Sequence, residues 1–156
     1  MAIRKLILLI ISGYVKTLTV LFATVKEKII WIVLDIQNGG ISQFNNVQIY
    51  NLNFSLAQKW YIKYLNDGYY SILSDKDNNF ALERDPNSLN VRINNYTNTE
   101  NQKWIIKQTG NYYYIISDDG KYLDLASAST VNGNNIGVFE PNTTLAQKFN
   151  FRKTAS

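Results

Sequence analysis

Two absences limit the residue types that could do chemistry in this sequence. The 156 residues include no cysteine and no histidine, which excludes disulfides, thiol nucleophiles, the commonest metal ligands and the usual general base near neutral pH. Carboxylate pairs, lysine, or serine with lysine remain for catalysis. The composition therefore favours a binding protein that uses neither a metal ion nor another cofactor.

Two pairs of acidic residues remain as candidates for catalysis. Asp75 with Asp77, and Asp118 with Asp119, lie at corresponding positions in turn-forming stretches of the chain. Hairpin turns favour aspartate, whereas a glycosidase needs two carboxylates facing each other across a cleft, about 5 to 9.5 Å apart. The sequence thus predicts turns at these positions and no catalytic residues.

A glutamine, a lysine and an aromatic residue recur three times along the chain. Gln58, Gln102 and Gln147 are 44 and 45 residues apart. The surrounding segments align without a gap: NVQIYNLNFSLAQKW at 46–60, NVRINNYTNTENQKW at 90–104 and NIGVFEPNTTLAQKF at 135–149. Upstream of them, VLDI at 33–36, FALE at 80–83 and YLDL at 122–125 also correspond. The chain therefore contains three repeats of about 44 residues.

Short β-strands are predicted to position these motifs. Apolar Val47 and Ile49 alternate with Gln48 and Tyr50, which is the period of a half-buried strand. Turn-forming Asp, Asn and Gly residues separate the strands, as at 67–68, 77–79, 119–120 and 132–134. Three repeats of about four strands predict an all-β fold, a closed β-trefoil with threefold pseudosymmetry. The aromatic residues of the motif are predicted to share its core: Trp60, Trp104 and Phe149.

The repeated motifs resemble those of the ricin-type β-trefoil lectins. The resemblance rests on Gln-x-Trp at 58–60 and 102–104, its variant at 147–149, and the hydrophobic-Asp pairs at 34–35 and 123–124. It covers residues from about 33 to 153. It implies three shallow lobes that can bind sugars, most of all of the galactose type. In the family a sugar is held by the Asp, by a polar residue and an aromatic two positions later, and by an Asn before the Gln.

Carried over residue by residue, the resemblance implies sugar-binding residues in the first and third repeats. The first repeat offers Asp35, Gln48, Tyr50 and Gln58, with Ala57 in the place of the family's Asn. The third offers Asp124, Phe139 and Gln147, with Gly137 and Ala146 in place of the polar residue and the Asn.

The middle repeat departs further from the family pattern. It has Leu82 in place of the Asp, Arg92 in place of the polar residue and Asn94 in place of the aromatic, although Asn101 is kept. Its loop is also three residues shorter. The middle lobe is therefore predicted to have lost sugar binding.

The amino-terminal residues differ from the rest of the chain. Residues 6–25 form an apolar run of 20 residues with Lys16 as its only charge, preceded by Arg4 and Lys5. Such a run could anchor the protein in a membrane, serve as a signal peptide, or supply strands. We predict an apolar segment at 1–22, then a trefoil at 23–156 with repeats of about 23–65, 66–109 and 110–156. Either residues 26–28 form a displaced turn of the first repeat, or residues 1–32 lie outside the barrel.

The positive charge of the chain is confined to its amino terminus. The net charge is +4, with 16 basic and 12 acidic residues. Residues 1–32 hold five of the basic residues and one of the acidic ones, so the remaining 124 residues carry eleven of each. Nucleic-acid binding needs several Lys or Arg residues on one face, and a neutral body does not predict a nucleic-acid partner.

The sequence as a whole predicts a secreted, non-catalytic lectin-like module of bacterial origin. Its expected partners are glycans, together with a toxin or hydrolase that it targets to them, and membrane contact would involve only residues 6–25. The alternative is a protein-interaction trefoil with inactive sugar sites, such as a toxin-associated subunit. Substitution of Asp35 and Asp124 separates the two, because only the lectin depends on these carboxylates.

Overall fold

A computed structural model describes residues 5–12 and 30–153 of the chain. In this part of the chain the regular structure is strands joined by turns and short 3-10 segments, without an α-helix. The strands are β1 (Lys5–Ser12), β2 (Ile30–Ile36), β3 (Val47–Asn51), β4 (Lys59–Tyr64), β5 (Tyr69–Ser74), β6 (Phe80–Arg84), β7 (Val91–Asn95), β8 (Trp104–Thr109), β9 (Tyr112–Ser117), β10 (Tyr122–Leu125), β11 (Ile136–Phe139) and β12 (Asn150–Lys153).

Six of these strands form a barrel, and three hairpins cover one end of it. Strands β4, β5, β8 and β9 are antiparallel neighbours, and backbone hydrogen bonds between Tyr113 and Phe149 join β9 to the start of β12. The hairpins β2–β3, β6–β7 and β10–β11 are antiparallel pairs in which one residue of each strand faces one of the other. This architecture confirms the predicted β-trefoil.

Strand β1 closes the barrel and breaks its symmetry. It pairs with β12 on one side and with β4 on the other, and its first half also pairs with β2. All three pairings are parallel, whereas the other pairings between named strands are antiparallel. The strand that fills the first position of the barrel is therefore taken from residues 5–12.

The repeated aromatic residues lie in the centre of the molecule. Trp60, Trp104 and Phe149 are fully buried in one cluster with the inward-facing residues of all three repeats. The indole N–H groups of Trp60 and Trp104 donate to the carbonyl oxygens of Leu34 and Leu82, at 3.4 and 3.1 Å. Each tryptophan thus ties the barrel of its repeat to the hairpin of the same repeat, because a buried N–H needs an acceptor.

A ring of three asparagines joins the three hairpins. The amide of Asn46 donates to Asn135, that of Asn90 donates to Asn46, and that of Asn135 donates to Asn90, at 2.9, 3.0 and 2.8 Å. Each member precedes the second strand of its hairpin, so the ring lies where the repeats meet. It satisfies one donor and one acceptor of each partly buried amide.

Several predictions about the amino terminus fall on residues that the structure does not describe. The proposed turn at residues 26–28 lies outside the described residues, and so does the domain boundary at residues 22 and 23. Among the described residues, no helix combines the length and the apolar character needed to cross a membrane.

Candidate functional site

The three repeats place equivalent surface sites beside their hairpins. We call them lobe one, lobe two and lobe three. Each consists of one hairpin of the cap and the short 3-10 turn that carries the motif glutamine: β2–β3 with Leu56–Gln58, β6–β7 with Glu100–Gln102, and β10–β11 with Leu145–Gln147. In each hairpin one residue of the first strand is paired with one of the second at the centre of the lobe, and these pairs differ: Asp35 with Gln48, Glu83 with Arg92, and Asp124 with Gly137.

Lobe one brings the predicted carboxylate, amide and aromatic ring together in one cavity. The Gln48 side-chain amide donates to Asp35 Oδ1 at 3.0 Å, and both side chains are buried at the cavity floor. Tyr50 follows two positions after Gln48 and so projects on the same side of the strand. Tyr50 is 40% exposed. The cavity has a volume of about 590 Å³, and its lining residues are Asp35, Asn38, Gly39, Gln48, Tyr50, Asn53, Ser55, Leu56, Ala57 and Lys76.

The surroundings of Asp35 determine how its carboxyl group can interact with a ligand. Burial raises the pKa of its carboxyl above the ordinary value, while hydrogen bonds from Gln48 and Gln58 act in the opposite direction. The carboxylate therefore has few competing water molecules and a fixed orientation. An oxygen in that setting is a strong acceptor for a ligand hydroxyl.

Two of the motif glutamines, Gln58 and Gln147, were predicted to bind sugar, and both lie below the surface of their lobes. Gln58 and Gln147 are fully buried, so they offer no surface to a ligand. Gln58 accepts from the backbone N–H of Asn53 and donates to the carbonyl of Asn51, and Gln147 does the same with Asn142 and Glu140. Each glutamine also acts to lower the pKa of the carboxyl group of its lobe, Asp35 or Asp124. The bonds to the backbone hold the loop in place behind the lobe, and a contribution of the two glutamines to sugar binding stays a prediction.

Lobe three keeps the carboxylate and the aromatic ring but lacks the amide. Phe139 is 51% exposed, and Asp124 stands beside it with its Oδ2 atom buried and without a hydrogen-bond partner among the described residues. Burial raises the pKa of this carboxyl, with a hydrogen bond from Gln147 acting against the shift. A buried acceptor without a partner is costly and is satisfied by a donor from outside.

The position opposite Asp124 is a glycine because the backbone there has no room for a side chain. A Cβ atom at Gly137 would lie 2.6 Å from the carbonyl oxygen of Leu89, which accepts from the Val138 backbone N–H. The loop of the second repeat approaches too closely for a side chain there. Lobe three therefore cannot carry the counterpart of Gln48 without moving this loop.

Lobe two is closed by its own side chains. Glu83 takes the position of Asp35 and Asp124, and it is buried. Its carboxylate accepts from Arg92 at 2.8 and 3.0 Å, from Asn94 at 3.0 and 3.2 Å, and from Gln102 at 2.9 Å. These bonds occupy both oxygens, so the carboxylate has little capacity left for a ligand.

The strand register corrects the alignment of lobe two. Leu82 was predicted to replace the Asp, but its carbonyl accepts from Trp104 just as that of Leu34 accepts from Trp60. Leu82 therefore corresponds to Leu34, and Glu83 corresponds to Asp35. Lobe two therefore has a carboxylate at this position, but Arg92 neutralises its charge.

Several residues of lobe one escaped the sequence prediction. Lys76 comes from the β5–β6 turn of the following repeat, and its ammonium group donates to the Gly39 carbonyl at 2.5 Å. Asn38, Asn53 and Ser55 line the cavity from loops that carry no family motif. Within the described part of the chain no cluster of acidic groups is suited to hold a metal ion.

Comparison with protein families gives a match over more than half of the chain. A family model described as ricin-type beta-trefoil lectin domain-like matches residues 56–139 and 100–156. Comparison with curated proteins returns no significant match.

Three solved structures illustrate the likeness in fold. The designed threefold-symmetric protein ThreeFoil is 30% identical, with 74% of this chain and 86% of that chain covered and a TM-score of 0.71. A mosquitocidal holotoxin is 25% identical, with 75% and 15% covered and a TM-score of 0.70. An exo-beta-1,3-galactanase from Clostridium thermocellum is 26% identical, with 74% and 26% covered and a TM-score of 0.70. This chain thus spans only a small part of the toxin and of the galactanase.

Proposed function

The chain belongs to the family of ricin-type beta-trefoil lectin-like domains, and we propose that it is a non-catalytic carbohydrate-binding module. The observation that carries the proposal is the cavity of lobe one, where Asp35, Gln48 and Tyr50 converge. A buried carboxylate and an amide suit neighbouring sugar hydroxyls, and an exposed ring suits the apolar face of a pyranose. Lobe one is the main site.

Lobe three is a second and weaker site. Asp124 supplies an acceptor whose Oδ2 has no partner among the described residues, and Phe139 supplies an exposed ring. The amide that Gln48 provides in lobe one is missing, and one net hydrogen bond is worth about 0.5 to 1.5 kcal/mol. Two weak sites on one rigid body still gain avidity when glycans are closely spaced.

Galactose-type sugars are the proposed ligands. The family resemblance supports this class, and so does the galactanase that carries the same fold at 26% identity. The holotoxin and the galactanase also support a role in targeting, because the trefoil is only 15% and 26% of those chains. We therefore propose that the module targets a toxin or a hydrolase to glycans.

We also propose that the protein acts outside the cell. Residues 6–25 are the segment that would carry export or anchoring. Strand β1 overlaps the first part of this segment, so cleavage near Ala23 would remove a strand of the barrel. The intact mass of the exported protein shows whether the segment is retained.

A glycan array at high protein density tests the proposed function. The double variant Asp35→Asn, Asp124→Asn is expected to lose binding to galactose-terminated glycans, and free galactose or lactose is expected to compete with the unmodified protein. Asp67→Asn is the matched control, because Asp67 is an exposed aspartate in the β4–β5 turn outside both lobes. Equal glycan binding by the double variant and the control would refute the proposal. Retention of a protein partner without any glycan binding would instead favour the interaction module.

A further inference from the structure

A second cavity lies directly beside the cavity of lobe one. Its volume is about 480 Å³, within the range of small-molecule sites. Its lining residues are Tyr61, Ser74, Asp75, Lys76, Asp77 and Asn78. Lys76 lines both cavities, so one side chain forms their common wall.

The second cavity offers the same kinds of groups as the first. Tyr61, which is 43% exposed, supplies an aromatic ring. Asp75 and Asn78 are exposed and supply a carboxylate and a side-chain amide, while Asp77 is half-buried. A ring, a carboxylate and an amide are what lobe one uses around Asp35. The chemistry of the second cavity therefore suits another sugar unit.

Hydrogen bonds hold the wall between the cavities in place. The backbone N–H of Asp75 donates to the Lys59 carbonyl at 3.0 Å, and that of Lys76 donates to Ser74 Oγ at 3.2 Å. The Lys76 ammonium group is itself held by the Gly39 carbonyl. An ammonium has three donors, so Lys76 can donate to an oxygen of a ligand that crosses the wall. A site fixed in this way loses little entropy when it binds.

The pseudosymmetry of the fold shows that lobe two, whose neighbouring turn lies in the described part of the chain, does not share this feature. Trp60 faces Ser74 in the β4–β5 pair as Trp104 faces Ser117 in the β8–β9 pair. Tyr61 therefore corresponds to Ile105, and Lys76 corresponds to Asp119. The carboxylate of Asp119 already accepts hydrogen bonds from Ser117 Oγ at 2.6 Å and from Lys121 Nζ at 2.8 Å. In the third repeat Asn150 follows Phe149 where Tyr61 follows Trp60.

We propose that the site of lobe one continues across Lys76 into this second cavity, which binds the next unit of an oligosaccharide. The inference rests on the proposed function, because it assigns the terminal sugar to the cavity around Asp35. The preferred ligand is then an oligosaccharide rather than a single sugar. Tyr61 contributes the stacking surface of the second subsite.

Isothermal titration calorimetry with three probes tests this extension: methyl β-galactoside, lactose and a β-1,3-linked galactotriose. At least one of the two oligosaccharides is expected to bind about three- to tenfold more tightly than the monosaccharide, the gain expected from one additional net hydrogen bond or slightly more. Tyr61→Ala is expected to abolish this gain without changing the affinity for methyl β-galactoside. Asp75→Ala, at a second exposed residue of the same cavity, is expected to reduce the gain.

Tyr64→Ala is the matched control. Tyr64 belongs to the same strand as Tyr61 and is 61% exposed, but it lines neither cavity. Equal affinities for the three probes, or a gain that persists in both Tyr61→Ala and Asp75→Ala, would overturn the extension and leave the site around Asp35 standing. If no probe binds, or if Asp35→Asn binds all of them unchanged, the proposed function of lobe one fails as well.

Discussion

Asp35, Glu83 and Asp124 hold one position in the three repeats and have three different environments. In lobe one, Gln48 donates a hydrogen bond to Asp35 and leaves the carboxylate accessible from the cavity. In lobe two, the guanidinium group of Arg92 neutralises the charge of Glu83. Asp124 faces a glycine and retains a buried oxygen without a partner among the described residues. The residue across the hairpin therefore decides whether the carboxylate of a lobe can serve a ligand.

Sugar binding is expected to weaken on acidification. Burial raises the pKa of both Asp35 and Asp124 above the ordinary value of 3.8, so each takes up a proton at a higher pH than an exposed Asp. A protonated carboxyl loses part of its capacity to accept hydrogen bonds. The dissociation constant for lactose, measured between pH 7 and about pH 3, should rise with a midpoint above the ordinary Asp value. Affinity that stays constant over this range would exclude a role for either carboxylate.

The same pKa shifts have the opposite sign for stability. Because the pKa is raised in the folded state, ionisation of these two carboxyls opposes folding. Their contribution to stability is most favourable below the unfolded value of 3.8 and is lost as the pH rises through the folded pKa. The ionised carboxyl groups of Asp35 and Asp124 thus lower the stability of the fold. Shifted pKa values of this kind are common at sites that bind a ligand.

At the residue scale, sequence reasoning located neighbouring side chains where the spacing was regular. Asp35, Gln48 and Tyr50, which line one cavity, were selected because the first and third repeats keep the same distance from the hydrophobic-Asp pair to the motif glutamine; their role in sugar binding stays a prediction. Glu83 was missed because the loop between β6 and β7 is shorter. A gap can then be placed on either side of Leu82, and only the strand register decides.

At the scale of the elements, the three hairpins depend on the ring formed by Asn46, Asn90 and Asn135. Each amide both donates and accepts within the ring. Removal of one member leaves a donor of one neighbour and an acceptor of the other unsatisfied. The ring therefore links the hairpins of the three lobes through hydrogen bonds, although each lobe has its own site.

Asn90→Ala is expected to destabilise the fold by about 1 to 3 kcal/mol, the cost of partly buried polar groups without partners. Urea denaturation measures the difference. Asn87→Ala serves as the control, since Asn87 is an exposed asparagine of the same loop, and it should leave the unfolding midpoint within experimental error. Equal midpoints for the two variants would show that the ring does not support the cap.

The contribution of Lys76 to lobe one lay beyond sequence prediction at this scale. The motifs identify residues within one repeat, but Lys76 reaches the lobe from the β5–β6 turn of the next repeat. Nothing in its sequence context distinguishes it from a solvent-exposed turn lysine. The wall of the site depends on how neighbouring repeats pack, which spacing alone does not give.

At the scale of the whole molecule, repetition predicted the fold, and its exception is the first strand. Three aligned motifs were enough to predict three repeats of about four strands, a closed barrel and a shared core of Trp60, Trp104 and Phe149. The position of β1 could not be predicted, because an apolar run next to basic residues fits an anchor, a signal peptide or a strand equally well. Its parallel pairing with β4 and β12 also departs from the pattern of the other repeats.

Ile10→Pro tests whether β1 closes the barrel. Ile10 is in register with Lys59 of β4 and with Arg152 of β12, and proline removes a backbone donor from a strand that has neighbours on both sides. The melting temperature is expected to fall, with increased aggregation from the exposed edges of β4 and β12. A melting temperature equal to that of the unmodified protein would show that residues 5–12 are dispensable for the trefoil.

The most direct test of the central claim is an NMR titration that maps where a galactoside binds. Addition of methyl β-galactoside to the ¹⁵N-labelled protein is expected to shift the amide signals of lobe one most, including those of Asp35, Gln48 and Tyr50. Smaller shifts are expected in lobe three, and those around Glu83 in lobe two should remain unchanged. Shifts confined to lobe two, or no shifts at saturating sugar, would contradict the assignment of lobe one as a sugar site.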